Sequence, residues 1–388
     1  MSSFSTPLEK IYRNFSLMTL AREEQLYAFI GRTTSWNSSE FQPGFIPEEP
    51  GLDQKSLDAS LKEIIALKKV LSTDVSMAVR RYDWYSGRVY DMYDCTDENL
   101  LFKHKYDATN PFYVITDEYN VYKCIFNNNG DLSTAKPAGQ FNQSIELEDG
   151  YIWKFMFHVD ENDRAKFLTS THIPVRHNTE LVYTSAQKTV KDAAIPGQVE
   201  RIDVISGGSG YSGVSELVVA GDGSGFTGIP TVHNGAVTGI TVTNKGLDYT
   251  LMTANVTNSN PSYVPATLRP QIAPQGGHGF NAANELGAFY TIISVDLIGY
   301  QDTTLPVNIY FRQCGLVTNI QDINSGYSNQ TYYFGPQHPL YNDSSIRSTF
   351  PQRVLKPKIG EILYIKNHAP IQRNLYQLER LKFVVETL

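Results

Sequence analysis

The sequence predicts a mainly β protein of the α+β class, with its helices gathered at the N-terminus. Hydrophobic residues fill 41% of the 388 positions and charged residues only 19%, enough to pack a core but too few charges for many long surface helices. The chain carries 24 Tyr and 19 Phe, side chains that suit the pleated, half-buried surface of a sheet. From about residue 75 onward, short runs of alternating apolar and polar residues are separated by Gly, Asn, Asp and Pro, the pattern of strands and turns.

The first element is PLEKIYRNFSLMTLAREEQLYAFIG, residues 7–31, where Leu8, Ile11, Phe15 and Met18 recur at helical spacing. Pro7 suits a helix start and Gly31 a stop, so one long helix or two shorter ones are expected here. The Pro-rich stretch SWNSSEFQPGFIPEEPG, 35–51, reads as an exposed loop. A further helix is expected over LDASLKEIIALKKVLS, 57–72, from the stripe Leu57, Leu61, Ile64, Ile65 and Leu71 beside Lys62, Glu63, Lys68 and Lys69.

Antiparallel sheet is expected next along the chain. FYVITDEYNVYKCIF (112–126) and GYIWKFMFHV (150–159) fit neighbouring strands joined through the irregular NNNGDLSTAKPAGQ. Trp153, in the alternating IWKFMF run, belongs to the core on this pattern. KIGEILYIKNHAPI (358–371) and LERLKFVVETL (378–388) add strands near the C-terminus.

Between them lies a degenerate repeat. VERIDVISGGSGYSG, GAVTGITVTNKGLDYT and GLVTNIQDINSGYSNQ each run from a short strand into a Gly-containing turn followed by Tyr. Gly210, Gly246 and Gly326 supply the turn conformation, and Tyr211, Tyr249 and Tyr327 cover the turn from one side. SGGSGYSG, 206–213, has the composition of a phosphate-cradling loop, but VSELVVAGDGSGFTG after it continues as strand, and no lysine stands where a P-loop needs one. The organisation expected is an N-terminal helical and Pro-rich region (1–75), a β-rich core part (76–194), a Gly/Tyr-rich β module (195–290) and a second β-rich core part (291–388).

The chemistry on offer is sparse. With Asp and Glu at 40 against Lys and Arg at 33, the formal charge of −7 provides no basic field for nucleic acid or an anionic membrane. No apolar run approaches the ~18 residues that a membrane span needs, and the N-terminus reads as that of a chain made in the cytoplasm without a leader. Cys95, Cys124 and Cys314 form no CxxC pair and read as buried thiols in a reducing compartment. His172 and His177 lack an evident third metal ligand, and no GxSxG or HExxH motif occurs. Glu146, Glu148 and Asp149 could meet a cation or a partner's arginines, or simply line a turn. The expectation is no catalytic set, no metal and no cofactor.

Protein contact is the better-supported use. In SMAVRRYDWYSGRVYD, Arg80, Arg81 and Arg88 interleave with Trp84 and three tyrosines, a mixture enriched at interfaces. Trp84 could equally fill the core. Trp36, in the Pro-rich loop, is either an exposed anchor or a small-core aromatic.

Five segments carry a family resemblance. IGRTTSWNSSE (30–40), VRRYDWYSGRVYD (79–91), EDGYIWKFMFHV (148–159), IYFRQCGLVTNI (309–320) and GEILYIKNHAPI (360–371) resemble, in the same order, segments of the homodimeric baseplate wedge protein of T-even-like contractile phages. The resemblance brackets nearly the whole chain. It implies a two-layer antiparallel β backbone carrying loop domains, in a virion subunit that is made in the host cytoplasm and built into the tail baseplate. It also implies a homodimer held among other wedge proteins, in an assembly that passes receptor engagement on to sheath contraction, without enzyme chemistry. Residues 195–290 depart from the family pattern and are expected to be an inserted module, with a tail fibre or the sheath as its contact. A carbohydrate-binding or tail-fibre-like module, or a polysaccharide-degrading enzyme, would use the same aromatic-rich β surface.

Overall fold

The computed structural model describes residues 7–23, 25–36, 46–51, 53–106, 109–177, 185–296, 310–319, 360–372 and 380–386. Two helices lie in the N-terminal part, further short helices are interspersed among the later strands, and antiparallel sheet dominates the described residues, in a mixed α+β fold. The chain divides into two compact units, one drawn from residues 1–14, 76–292 and 384–388, the other from 15–75 and 293–383. The chain changes unit within α1 (Pro7–Arg22), at the start of β3 (Val75–Arg80), and within β15 (Tyr290–Asp296) and β18 (Arg380–Val385).

The second unit is built on a four-stranded antiparallel sheet. It contains β1 (Leu26–Gly31), β2 (Ile64–Lys69), β16 (Tyr310–Thr318) and β17 (Glu361–Gln372), in the order β17-β16-β1-β2. Two helical expectations are corrected here. The helix over 7–31 stops at Arg22, and LYAFIG becomes β1, hydrogen-bonded on both sides and buried along most of its length. The helix over 57–72 is α2 (Gln54–Lys62), N-capped by Asp53, and Ile64–Lys69 is strand. The reason is part local and part tertiary: β-branched Ile64 and Ile65 favour extended backbone, and Gly31 of β1 lets the Glu63 carbonyl approach so closely that a Cβ there would stand 2.9 Å from it.

In the first unit, β4 (Tyr113–Ile115), β5 (Asn120–Asn127), β6 (Ser144–Glu146) and β7 (Tyr151–His158) make an antiparallel sheet in the order β4-β5-β7-β6. β5 and β7 are neighbours, paired from Asn120↔His158 to Asn127↔Tyr151. One sheet face packs Val114, Tyr122, Cys124, Tyr151, Trp153 and Phe155 against Tyr90 and Val190. Trp153 is fully buried there. Burying aromatics of this size contributes roughly 1.5–3 kcal/mol each. α3 (Leu100–Tyr106), α4 (Glu161–Lys166) and α5 (Ser185–Asp192) belong to the same unit, as does β8 (His172–Val175), paired antiparallel with β3.

Residues 199–272 of this unit hold six strands: β9 (Val199–Ser206), β10 (Ser215–Gly221), β11 (Ser224–His233), β12 (Ala236–Leu247), β13 (Met252–Asn258) and β14 (Thr267–Ile272). They pair antiparallel as β9–β14, β10–β13 and β11–β12. Gly210 and Gly246 adopt φ of 74° and 63°, a region that favours glycine. Tyr211 is buried beside the first turn, its hydroxyl donating to the Val256 carbonyl (3.2 Å) and accepting from the Ala266 amide (2.8 Å). Tyr249 is buried in a cluster with Phe226, Met252 and Ala254. SGGSGYSG leads from β9 into β10, strand to strand. Gly326 and Tyr327, the third turn pair, lie outside the described residues. α6 (Ala282–Leu286) comes after β14, N-capped by Asn281 and ended by Gly287 at φ 73°.

Candidate protein-contact surface

In the first unit, the Arg and aromatic segment runs from the end of β3 into a loop, and most of its cations are engaged within the unit. Arg80 donates to the Lys105 carbonyl (2.7 Å). Arg81 forms a forked pair with Asp83, from Nε and Nη2 to Oδ1 at 3.1 and 2.9 Å, and donates to the Thr169 carbonyl at 3.2 Å. Arg88 donates to the Thr109 carbonyl (2.6 Å), with its guanidinium 5.7 Å from the Tyr90 ring. Trp84 packs against the Tyr90 and Trp153 cluster and donates its indole N–H to Ser133 Oγ (3.2 Å).

The exposed aromatic is the next residue. Tyr85 is 60% exposed at a tip that Gly87 turns with φ 79°, and Leu132 in the neighbouring loop is 55% exposed. The two loops are tied by Gly87 N–H to the Ser133 carbonyl (2.7 Å) and by Ser133 N–H to the Arg88 carbonyl (2.9 Å). The buried Tyr90 hydroxyl clamps the tip from inside, accepting from the Tyr85 amide (2.7 Å) and donating to the Tyr85 carbonyl (3.1 Å). The backbone that displays Tyr85 is therefore fixed before any partner arrives, which lowers the ordering cost of binding. The sequence signal for it was the Ser86–Gly87 turn dipeptide, which places the preceding residue at a tip.

No protein-family model matches the chain, and no curated protein matches it in sequence.

Of the carboxylates near this surface, Asp149 has a structural duty. Asp149 accepts from the amides of Thr134 (2.8 Å) and Ala135 (2.9 Å) and from Ser133 Oγ (3.2 Å), holding the loop that carries Leu132. Glu146 and Glu148 are exposed. His172 stacks edge-on to Tyr290, and His177 is buried against Asn281 (3.0 Å). Among the described residues, no group of three or more His, Cys, Asp or Glu is placed to hold a metal ion. Among them too, no helix is long and apolar enough to cross a membrane. The thiols are not all buried: Cys124 is, Cys314 is half-buried, and Cys95 is exposed, its Sγ 3.7 Å from the Pro270 carbonyl. Cys95 lies in an irregular segment outside any strand, whereas Cys124 lies within the buried part of β5.

Trp36, in the second unit, is 9% exposed and lies under the Arg32 guanidinium, 3.9 Å from the ring centroid. Arg32 is itself paired with Glu63 at 3.2 Å. The exposed-anchor alternative for Trp36 is thereby set aside, because the stacked guanidinium occupies the face a partner would use.

Sequence reasoning missed a buried ionic cluster in the first unit. Glu285 of α6 pairs with Lys123 of β5, and both are buried. Glu285 Oε1 also accepts from the amides of Gly279 (2.8 Å) and Asn281 (3.2 Å). His278 lies beside them, its Nδ1 3.7 Å from Glu285 Oε2 and its ring edge-on to Tyr93. Burial pushes the Glu285 carboxyl up, but Lys123 and His278 outweigh it and hold it down at about 2. The signal was the GGHG run, in which Gly276, Gly277 and Gly279 all take φ between 85° and 94°. A Cβ on Gly277 would meet the Ile195 carbonyl oxygen at 2.5 Å, so the loop packs too closely for any side chain there.

Arg80 and Arg81 therefore act first on stability. Reversing both to glutamate removes the bonds to Lys105 and Thr169 and turns the Asp83 pair repulsive. The double variant is expected to lose about 2–4 kcal/mol of stability, read by urea denaturation. An unchanged midpoint would restore these arginines as contact residues.

Proposed function

We propose that the chain is a structural subunit of a contractile phage tail baseplate wedge. It acts as a homodimer among other wedge proteins and helps to transmit the conformational change that triggers sheath contraction. The observation that carries this reading is the order of the five resembling segments along the chain. Three of them fall on β7, β16 and β17, strands with paired neighbours, and a fourth is the loop that displays Tyr85. Scaffold and contact surface are the parts a structural subunit needs. In this reading the sheets form a two-layer backbone, and residues 195–290, with their six strands, are an inserted Gly/Tyr-rich module that meets a tail fibre or the sheath.

A rigid aromatic with an aliphatic neighbour, surrounded by internally bonded polar groups, has the composition of an interface hot spot. Recognition then depends on shape and desolvation, without bond chemistry.

Light scattering on the purified chain, alone and mixed with a lysate containing the other tail proteins, tests the reading. A mass near twice 43.6 kDa that moves into a larger complex is expected. A persistent monomer that recruits no tail protein would overturn it. Replacing Tyr85 and Leu132 together by serine is expected to weaken that recruitment about 10- to 100-fold and leave the melting temperature within a degree or two of the parent, since both side chains are exposed.

A further inference from the structure

Strands β10 and β11 are consecutive, joined through Asp222 and Gly223, yet they do not pair with each other: β10 pairs with β13, and β11 with β12. They splay from a pinned apex, where Asp222 accepts from the amides of Thr250 and Leu251 (2.9 Å each). Between them lies a groove of about 310 Å³, lined by Ser215, Glu216, Leu217 and Val219 on one side and by Phe226–Pro230 on the other.

The hydrogen-bond phase of β10 is set by its ends. The Val214 carbonyl accepts from the Ser259 amide (3.2 Å) and the Asp222 amide donates to the Leu251 carbonyl (3.4 Å). The register between them, Ser215↔Asn258 through Gly221↔Met252, runs without a shift. In an antiparallel ladder every second residue bonds to the partner and the residues between point their N–H and C=O the other way. Glu216, Val218 and Ala220 therefore face β13, whereas Ser215, Leu217 and Val219 present backbone donors and acceptors to the groove.

This edge lacks the usual protection. β10 has no Lys, Arg or Pro and no bulge, and Val218 is 46% exposed. The opposite wall differs: β11 has register shifts at Thr227/Gly228 and Thr231/Val232, and Pro230 has no N–H to give. One side can pair with a strand; the other can only wall it in.

We propose that the β10 edge is a docking site for an extended segment of another protein, added as a strand along Ser215–Gly221. Among the described residues no strand pairs with this edge, and such an edge specifies an extended backbone. Glu216, the one charged residue of β10, specifies a Lys or Arg opposite it on the incoming strand. The proposal rests on the groove and stands or falls independently of the baseplate reading.

Amide hydrogen exchange on the full chain tests it, with and without a synthetic seven-residue peptide of alternating valine and threonine carrying one lysine. In the chain alone, Val218 and Ala220 should exchange slowly and Leu217 and Val219 fast. Millimolar peptide should slow Leu217 and Val219 by more than about tenfold. Glu216→Lys, on an exposed side chain, should keep Val218 protected, lose that effect, and regain it with a peptide bearing glutamate in place of lysine. Protection of Leu217 and Val219 without peptide, at any protein concentration, would overturn the proposal, because the edge is then already closed by this chain or by a second copy. Exchange unaffected by the peptide would overturn it as well.

Discussion

Glu285→Gln is expected to destabilise the protein by about 3–5 kcal/mol, because it leaves the Lys123 ammonium without its counter-charge. Neither group of the pair reaches solvent: the side chains are 0% and 4% exposed. Coulomb attraction at this burial offsets a large desolvation penalty, so removing one partner exposes the whole penalty of the other. The glutamine would still accept from one of the Gly279 and Asn281 amides, so the loop loses its charge-assisted bonds without losing every acceptor. Making Lys123→Met in the same chain removes the stranded charge, and the double variant should recover at least half of the loss. Guanidinium denaturation of the two single variants and the double variant measures this. A Glu285→Gln loss below about 1 kcal/mol would mean that water reaches the pair in solution.

How far such features can be read from sequence depends on whether the partners are local. β5 and β7 were legible because FYVITDEYNVYKCIF and GYIWKFMFHV mix aromatic and β-branched residues with polar ones between turn residues, although both strands are buried along most of their length and the polar Lys123 and Lys154 are buried too. β1 was not legible, because LYAFIG holds no charged or amide side chain to mark an alternation and continues the helical stripe of α1 just as well. Ile64–Lys69 failed for a related reason: its apolar residues extend the stripe of α2, and only the pairing with β1 reveals the strand. At the candidate surface the composition was legible and the exposure was not. Whether Arg80 faces a partner is decided by Lys105, and whether Trp84 is covered is decided by Ser133, residues 25 and 49 positions away. Tyr211 and Tyr249 were easier, because each lies within a few residues of the glycine turn it covers.

Stability should fall by about 2 kcal/mol between pH 7 and pH 5 on account of His278 alone, earlier on the acid limb than carboxylates would cause. His278 is buried, and burial first, then the Lys123 charge, hold its pKa down to about 4, against the pull of Glu285 and Glu200. In the unfolded chain the same imidazole titrates near its ordinary value of about 6.5. As pH falls from that value the unfolded chain takes up a proton that the folded chain refuses, so stability drops until the pH passes about 4, where the folded form is protonated too. The window is thus pH 6.5 to 4. His172 is also held down to about 4, by burial and then by Arg80, and adds a smaller decrease over the same range because part of it meets solvent. Glu285 acts lower: its depressed pKa keeps its contribution intact until the pH falls below its ordinary range and approaches about 2. His278→Gln cannot titrate and should flatten the pH 7 to 5 difference to what the other histidines provide, among them His172 and the buried His177, whose pKa burial also lowers. Urea denaturation of the parent and the variant at pH 7, 6 and 5 separates the cases. Parallel curves for the two proteins would show that the GGHG loop opens in solution and lets His278 take its proton from water.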